Sequence, residues 1–239
     1  MTPVVFVHGL MGGSAQWQEQ ARAFCDRNVI ALDLPGFGQN AKTSALASIA
    51  DLARWALNEL TARGVHRFHL VGHSMGGMVA QEMVACAPDR VDRLVLYGTG
   101  PTGVLPGRFE TIATSKDRAR ADGANATARR IAATWFLERH DAAPYEDCAA
   151  IAEMSSLDAI LAGLDAMHDW NGTSYLSRIE IKTLVVWGDH DRTYPWRQTE
   201  ELWQSIAGAS LAVIPGCAHA PHLEKPSLFN AVLQDFLKD

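Results

Sequence analysis

Six short runs of β-branched and aliphatic residues recur along the 239-residue chain with helical patterns between them, and this repeated order admits few folds. The runs are residues 4–7, 29–32, 68–71, 94–97, 184–187 and 211–214. Apart from His69, each is apolar throughout rather than at every second position. Both faces of each strand must therefore be covered, as in a parallel sheet with helices on either side. Helical spacing marks residues 15–24, 44–62, 76–86, 197–206 and 227–237. Ser44 and Ser227 are expected N-caps, Pro226 precedes the last helix, and Gly64 and Pro88 stand just beyond two helix ends. A β-α order of this kind joins its strands by right-handed crossovers and binds ligands at the carboxyl ends of the strands.

The order breaks once. Between residues 102 and 178 no strand-like run occurs, and the patterns over 118–140, 145–154 and 157–168 are helical. An inserted helical cap is expected there. Pro101, Gly103, Pro106 and Gly107 mark its entry, and Asn171-Gly172 its exit. The expected organisation is a core in two parts, 1–100 and 179–239, around an insertion at 101–178. With 48% hydrophobic residues, a chain of this length can bury one sizeable core.

Charge and cysteine usage exclude other classes. The chain has 21 Lys and Arg against 27 Asp and Glu, a formal charge of -6 that lacks the basic stripe nucleic-acid binding requires. Cys25, Cys86, Cys148 and Cys217 lie far apart with no C-x-x-C pair, which suits reduced thiols. No apolar stretch approaches a membrane span and no charged leader precedes residue 4, so a soluble cytoplasmic protein is expected, as a monomer or small homo-oligomer.

The strongest local pattern is Gly72-His73-Ser74-Met75-Gly76-Gly77, which follows one strand-like run and opens a helical one. A sharp strand-to-helix turn needs flanking glycines for close backbone approach, and it lifts the central hydroxyl to the sheet's carboxyl edge. G-x-S-x-G also arises by chance in glycine-rich loops. The strand before and the helix after are what make Ser74 a candidate nucleophile.

A serine hydroxyl is a weak nucleophile near neutral pH and needs a histidine to take its proton and a carboxylate to hold the imidazole. The run 184–187 leads into Gly188-Asp189-His190-Asp191, and the run 211–214 into Pro215-Gly216-Cys217-Ala218-His219. His219 is preferred to His222 because it stands in the loop directly after a strand. Asp189 and Asp191 share one loop, and either could instead cap the next helix. Donors for a developing oxyanion are expected from the backbone N–H of Met75 and, in the loop His8-Gly9-Leu10-Met11-Gly12-Gly13, from that of Leu10. Asp189, His190, Asp191, His219 and His222 have no metal-ligand spacing, so neither metal nor organic cofactor is expected.

Together these residues resemble the α/β-hydrolase fold family, in its small esterase, enol-lactonase and C–C hydrolase branch. The likeness extends over His8-Gly9, Asp33-Leu34-Pro35-Gly36-Phe37-Gly38, the turn at Ser74, Trp187-Gly188-Asp189-His190-Asp191 and the segment from Gly216 to Pro226. It implies an α/β-hydrolase core with a mostly parallel sheet of about six strands, the family's first two being missing. It implies Asp191 as the acid and His219 as the base, with Asp189, His222 and Glu224 as loop supports. Dehalogenase and epoxide hydrolase relatives carry Asp where Ser74 stands. C–C hydrolases carry Trp where Ala220 stands.

The segment from Arg129 to Phe136 is similar to a cap helix of enol-lactonases, which implies Arg129 facing a substrate carboxylate. Trp17, Trp135, Phe136 and Trp170, with Met154 and Met167, are expected candidates for an apolar pocket wall, two or three of the six facing substrate. The resulting expectation is a carboxylic ester hydrolase acting on a small ester or lactone through an acyl-enzyme. A C–C bond hydrolase, a menaquinone-pathway-like lyase with the same triad, and a ligand-sensing protein with a residual site are the alternatives.

Overall fold

The computed structural model describes residues 1–104 and 110–238. Pro106 and Gly107, expected at the cap entry, lie outside the described residues.

Chain order runs β1 (Val4–Val7), α1 (Gln18–Ala23), β2 (Val29–Leu32), α2 (Ile49–Ala62), β3 (Phe68–His73), α3 (Met75–Cys86) and β4 (Val91–Tyr97). Helices α4 (Ile112–Asp122), α5 (Ala124–Thr134), α6 (Tyr145–Ala152), α7 (Leu157–His168) and α8 (Thr173–Leu176) follow. The chain then returns through β5 (Lys182–Gly188), α9 (Trp196–Ser205), β6 (Ser210–Ile214), α10 (Pro221–Glu224) and α11 (Pro226–Phe236). The six strands form one sheet in the order β2-β1-β3-β4-β5-β6, and every neighbouring pair is parallel.

Both faces are buried, which explains the continuous apolar runs. Val4, Phe6, Val71, Val95, Tyr97 and Val186 pack with Phe24 beside α1 and with Phe229 and Leu233 of α11. Their strand neighbours Val5, Val7, Leu70, Leu94, Leu96 and Val185 face the opposite layer, with Leu52 and Leu60 of α2 and Met78 and Met83 of α3. Strands β1, β3, β4 and β5 all end at one edge, where the loops that carry chemistry emerge.

Several helix limits differ from expectation. Helix α2 starts at Ile49 and is capped by Ser48, whose hydroxyl accepts from Asp51 N; Ser44 lies in the preceding loop. Pro226 is the first residue of α11, so Lys225 rather than Ser227 occupies the cap position. Residues 15–24 divide into a 3-10 turn, Ser14–Trp17, and the short α1. The stretch 118–140 is broken at Gly123, whose φ of 82° ends one helix and starts the next. Thr102 and Asn171 form an antiparallel bridge that closes the helical segment where it leaves and rejoins the sheet. Among the described residues no helix is long and apolar enough to cross a membrane.

Candidate active site

Ser74 sits between β3 and α3 with φ 55° and ψ -122°, a conformation that non-glycine residues rarely adopt. Surrounding contacts hold it there. Ser74 N donates to Tyr97 O at 3.1 Å, and Thr99 Oγ1 donates to Ser74 O at 2.8 Å. Gly76 makes the turn possible: a Cβ at that position would lie 2.3 Å from Val7 O and 2.5 Å from His8 O. The helix start can therefore press directly on the end of β1.

Asp191 and His219 leave β5 and β6 in adjacent loops. Asp191 Oδ2 accepts from His219 Nδ1 at 2.8 Å, with both side chains buried. Asp191 Oδ1 accepts from Thr193 N at 2.7 Å and Tyr194 N at 3.0 Å, so the carboxylate is held by its own turn. With Nδ1 donating to the carboxylate, His219 Nε2 keeps its lone pair. The Tyr194 ring stacks on the imidazole with centroids 5.6 Å apart. Asp189 does a different job: it accepts from Gly216 N at 2.8 Å and joins the ends of β5 and β6.

The loop after β1 is braced from below. Leu34 N donates to His8 Nε2 at 3.0 Å, so His8 Nδ1 carries the proton and donates to Gly9 O at 2.7 Å. Burial lowers the His8 pKa and keeps it neutral. Asp33 accepts from Ser14 N at 2.8 Å, and Met11 turns the chain with φ 58°. Among the described residues, neither Leu10 N nor Met75 N donates a hydrogen bond, although both residues are buried. Buried donors of this kind normally find a partner.

These elements surround a cleft with about 450 Å³ of empty space, part of it open to solvent. Ser74 and His219 line it, as do Leu10, Gly9 and Gly12. Trp135 and Met167 form part of its apolar wall, joined by Ile131 and Tyr194; Gln16, His73 and Thr193 add polar groups. The Thr193 hydroxyl has no partner among the described residues.

Five residues expected at the pocket are elsewhere. Arg129 projects from the outer side of α5, where it pairs with Glu146 at 2.8 Å and Glu153 at 3.6 Å, because α5 turns Ala128, Ile131 and Ala132 inward. Trp17 is directed by the 3-10 turn toward the α11 side of the sheet and packs at a tilt against Phe6 and His222, ring centroids 4.7 Å apart in each case. Phe136 is fully buried and belongs to the same core cluster as Val5, Leu70 and Met78. Trp170 Nε1 donates to Glu82 Oε2 at 3.2 Å, anchoring the segment's return to α3. Met154 is exposed.

Behind the cleft lie two histidines of unlike kind. His73 Nε2 lies 3.0 Å from His219 O, where it donates, and its ring stacks on Tyr97. Burial, then the neighbouring His219 and His222, hold the His73 pKa well below the usual imidazole range. His222 is also fully buried, and among the described residues neither of its ring nitrogens has a partner. Burial, followed by His219, lowers its pKa to about 3. Gln16, Tyr194 and Thr193 escaped the sequence reading. The Asp191 turn was the one available signal for the last two.

A family model described as alpha/beta hydrolase fold matches residues 2–226. The chain is 30% identical over 242 residues to a protein named carbamate hydrolase RutD from Variovorax paradoxus, covering 98% of this chain and 91% of that one. It is 26% identical over 264 residues to 2-hydroxy-6-oxo-6-phenylhexa-2,4-dienoate hydrolase from Comamonas testosteroni, with 98% and 87% covered. Among solved structures it resembles the enol-lactonase from Burkholderia xenovorans LB400, with a TM-score of 0.89, 22% identity, and 100% and 92% of the two chains covered.

Proposed function

This chain belongs to the α/β-hydrolase fold family, and from that premise we propose that it is a serine hydrolase cleaving small carboxylic esters or lactones. The observation that carries the reading is the buried Asp191–His219 pair opening onto the same cleft as Ser74, beside the two unpaired amides of Leu10 and Met75. Ser74 Oγ attacks the acyl carbon while His219 Nε2 takes its proton. The carbonyl oxygen becomes an oxyanion and accepts from the Leu10 and Met75 N–H groups. His219 then returns the proton to the leaving alkoxide as the acyl–oxygen bond breaks. Water, deprotonated by His219, attacks the acyl-enzyme and releases the acid and free Ser74. Asp191 keeps the proton on Nδ1 and stabilises the imidazolium throughout.

The cleft also supports a substrate class. None of its described lining residues is Lys or Arg, and Arg129 and Arg130 are committed to carboxylates. A substrate anion would find no partner among these side chains, whereas a neutral ester fits the apolar wall and can meet the Thr193 hydroxyl. Residues 101–178 act in this reading as a cap that supplies Ile131, Trp135 and Met167.

Hydrolysis of p-nitrophenyl acetate tests the proposal. Ser74→Ala is expected to lower kcat on the order of 10⁵-fold, since losing the nucleophile leaves only binding and oxyanion stabilisation. Full activity in that variant would falsify it.

A further inference from the structure

Gln16 lines two spaces at once. One is the cleft that holds Ser74 and His219. The other is a surface groove between the Ser14–Trp17 turn and α6, with about 1010 Å³ of empty space, part of it open to solvent. A side chain that borders both is the partition between them. It is also buried, at 5% exposure, so it fills the seam rather than lying over it.

The partition is weakly held. Gln16 Oε1 accepts from Gly13 N at 3.4 Å, and Gln16 Nε2 reaches Cys148 Sγ on α6 at 3.8 Å. Both contacts are long, and a thiol is a poor acceptor. Burial pushes the Cys148 thiol up to about 12, so it stays neutral and lends the contact no charge. The groove beyond is walled by Ala15, Pro144, Ala150, Ile151 and Leu223, and its charged lining residues, Glu19 and Asp147, are both carboxylates. Such a channel accepts a neutral hydrocarbon chain and rejects an anionic tail.

We propose that Gln16 sets the chain length of the substrate: it closes the cleft against the groove, and its removal lets an alkyl chain pass from Ser74 into the groove. This rests on the ester hydrolase reading of the site. The amide acts as a wall, so bulk rather than hydrogen bonding is what it contributes.

The test measures kcat/KM for p-nitrophenyl esters from acetate to decanoate with wild type, Gln16→Ala and Gln16→Leu. Wild type is expected to fall off beyond butyrate. Each methylene taken from water is worth about fourfold, so after the cost of ordering the chain Gln16→Ala should raise the octanoate-to-butyrate ratio on the order of tenfold. Gln16→Leu keeps the bulk and is expected to keep the wild-type ratio. Equal ratios in wild type and Gln16→Ala, or wild-type activity on decanoate matching that on acetate, overturn the proposal.

A second measurement separates this proposal from the reading beneath it and does not depend on turnover. Intact mass follows the reaction of Ser74 with ethyl and octyl fluorophosphonates in wild type and in Gln16→Ser. An octyl-to-ethyl rate ratio that rises in the variant supports the wall. Ser74 labelling at the same ratio in both proteins overturns the wall alone. No labelling by either probe overturns the hydrolase reading and the wall with it.

Discussion

Glu224 accepts the backbone N–H of Leu137 at 2.7 Å across 87 residues of sequence, tying the stretch after α5 to the loop of His219. Its second oxygen accepts from Ala218 N, also at 2.7 Å. Trp135 O receives His219 N and Ala220 N at 3.0 Å each, and Arg192 donates to Phe136 O and Leu137 O. The corner that carries Trp135 into the cleft is thereby fastened to the histidine loop. A displacement at one is a displacement at the other.

Glu224→Ala should orphan two partly buried amides. At about 1–3 kcal/mol for each, the stability loss is expected to be roughly 2–6 kcal/mol. Glu224→Gln retains one acceptor oxygen and should lose about half as much. Urea unfolding compares them, with kcat on p-nitrophenyl acetate expected to fall in the same order. An alanine variant no less stable than the glutamine variant contradicts the clamp.

The core was readable because doubly covered parallel strands need unbroken apolar runs, and all six runs became strands at those positions. Ser74 and His219 could be picked out for the same reason, since each stands just past a strand, whereas only the family likeness separated Asp191 from Asp189. Arg129 was misplaced by likeness to the cap helix of enol-lactonases. The chain's own stripe of Ala128, Ile131, Ala132 and Trp135 already defines an inward face that leaves Arg129 outside. Trp17 depended on a 3-10 turn that helical spacing does not register, and Gln16 on a neighbour 132 residues away. The side-chain partners of Asp189, His222 and Glu224 are tertiary facts of that kind.

Gly9 tests the tightness of the loop against the nucleophile. A Cβ there would lie 2.8 Å from Ser74 Cβ, 3.3 Å from Ser74 Oγ and 3.4 Å from His73 Nδ1. Gly9→Ala must displace Ser74, the Leu10 amide or both. Misplacement of up to an ångström is expected to lower kcat by about 10- to 100-fold. The urea midpoint should move much less than in Gly76→Ala, whose Cβ meets backbone at 2.3 Å. A Gly9→Ala protein with wild-type kcat refutes this.

Asp191 performs two tasks through two oxygens, and substitution can divide them. Asparagine can still accept from Thr193 N and Tyr194 N, but its amide group presents a donor to the His219 Nδ1–H. The imidazole then loses its correct tautomer, and kcat is expected to drop about 10³- to 10⁴-fold with little change in melting temperature. Alanine loses the turn as well, so Asp191→Ala should also melt lower. Stopped assays and thermal melts on both variants check the division.

His222 makes the fold acid-sensitive. Its pKa is about 3 in the folded chain against 6.5 for a free imidazole, so between those values the unfolded chain binds a proton that the folded chain does not. Unfolding therefore becomes easier as pH falls below about 6.5, by about 1.4 kcal/mol per unit, and the effect levels off near the folded value. His73 and His8, also lowered by burial, act in the same direction. Leucine fits the same surroundings of Trp17, Tyr97 and Phe229, and it removes two unpartnered nitrogens. His222→Leu is expected to be close to wild type at pH 7.5, because lost ring contacts are offset by removal of buried polar atoms. At pH 5.5 it should retain about 1.4 kcal/mol that wild type has lost. Urea titrations at the two pH values read the difference directly. Parallel losses in both proteins would show that the His222 ring takes up its proton in the folded chain.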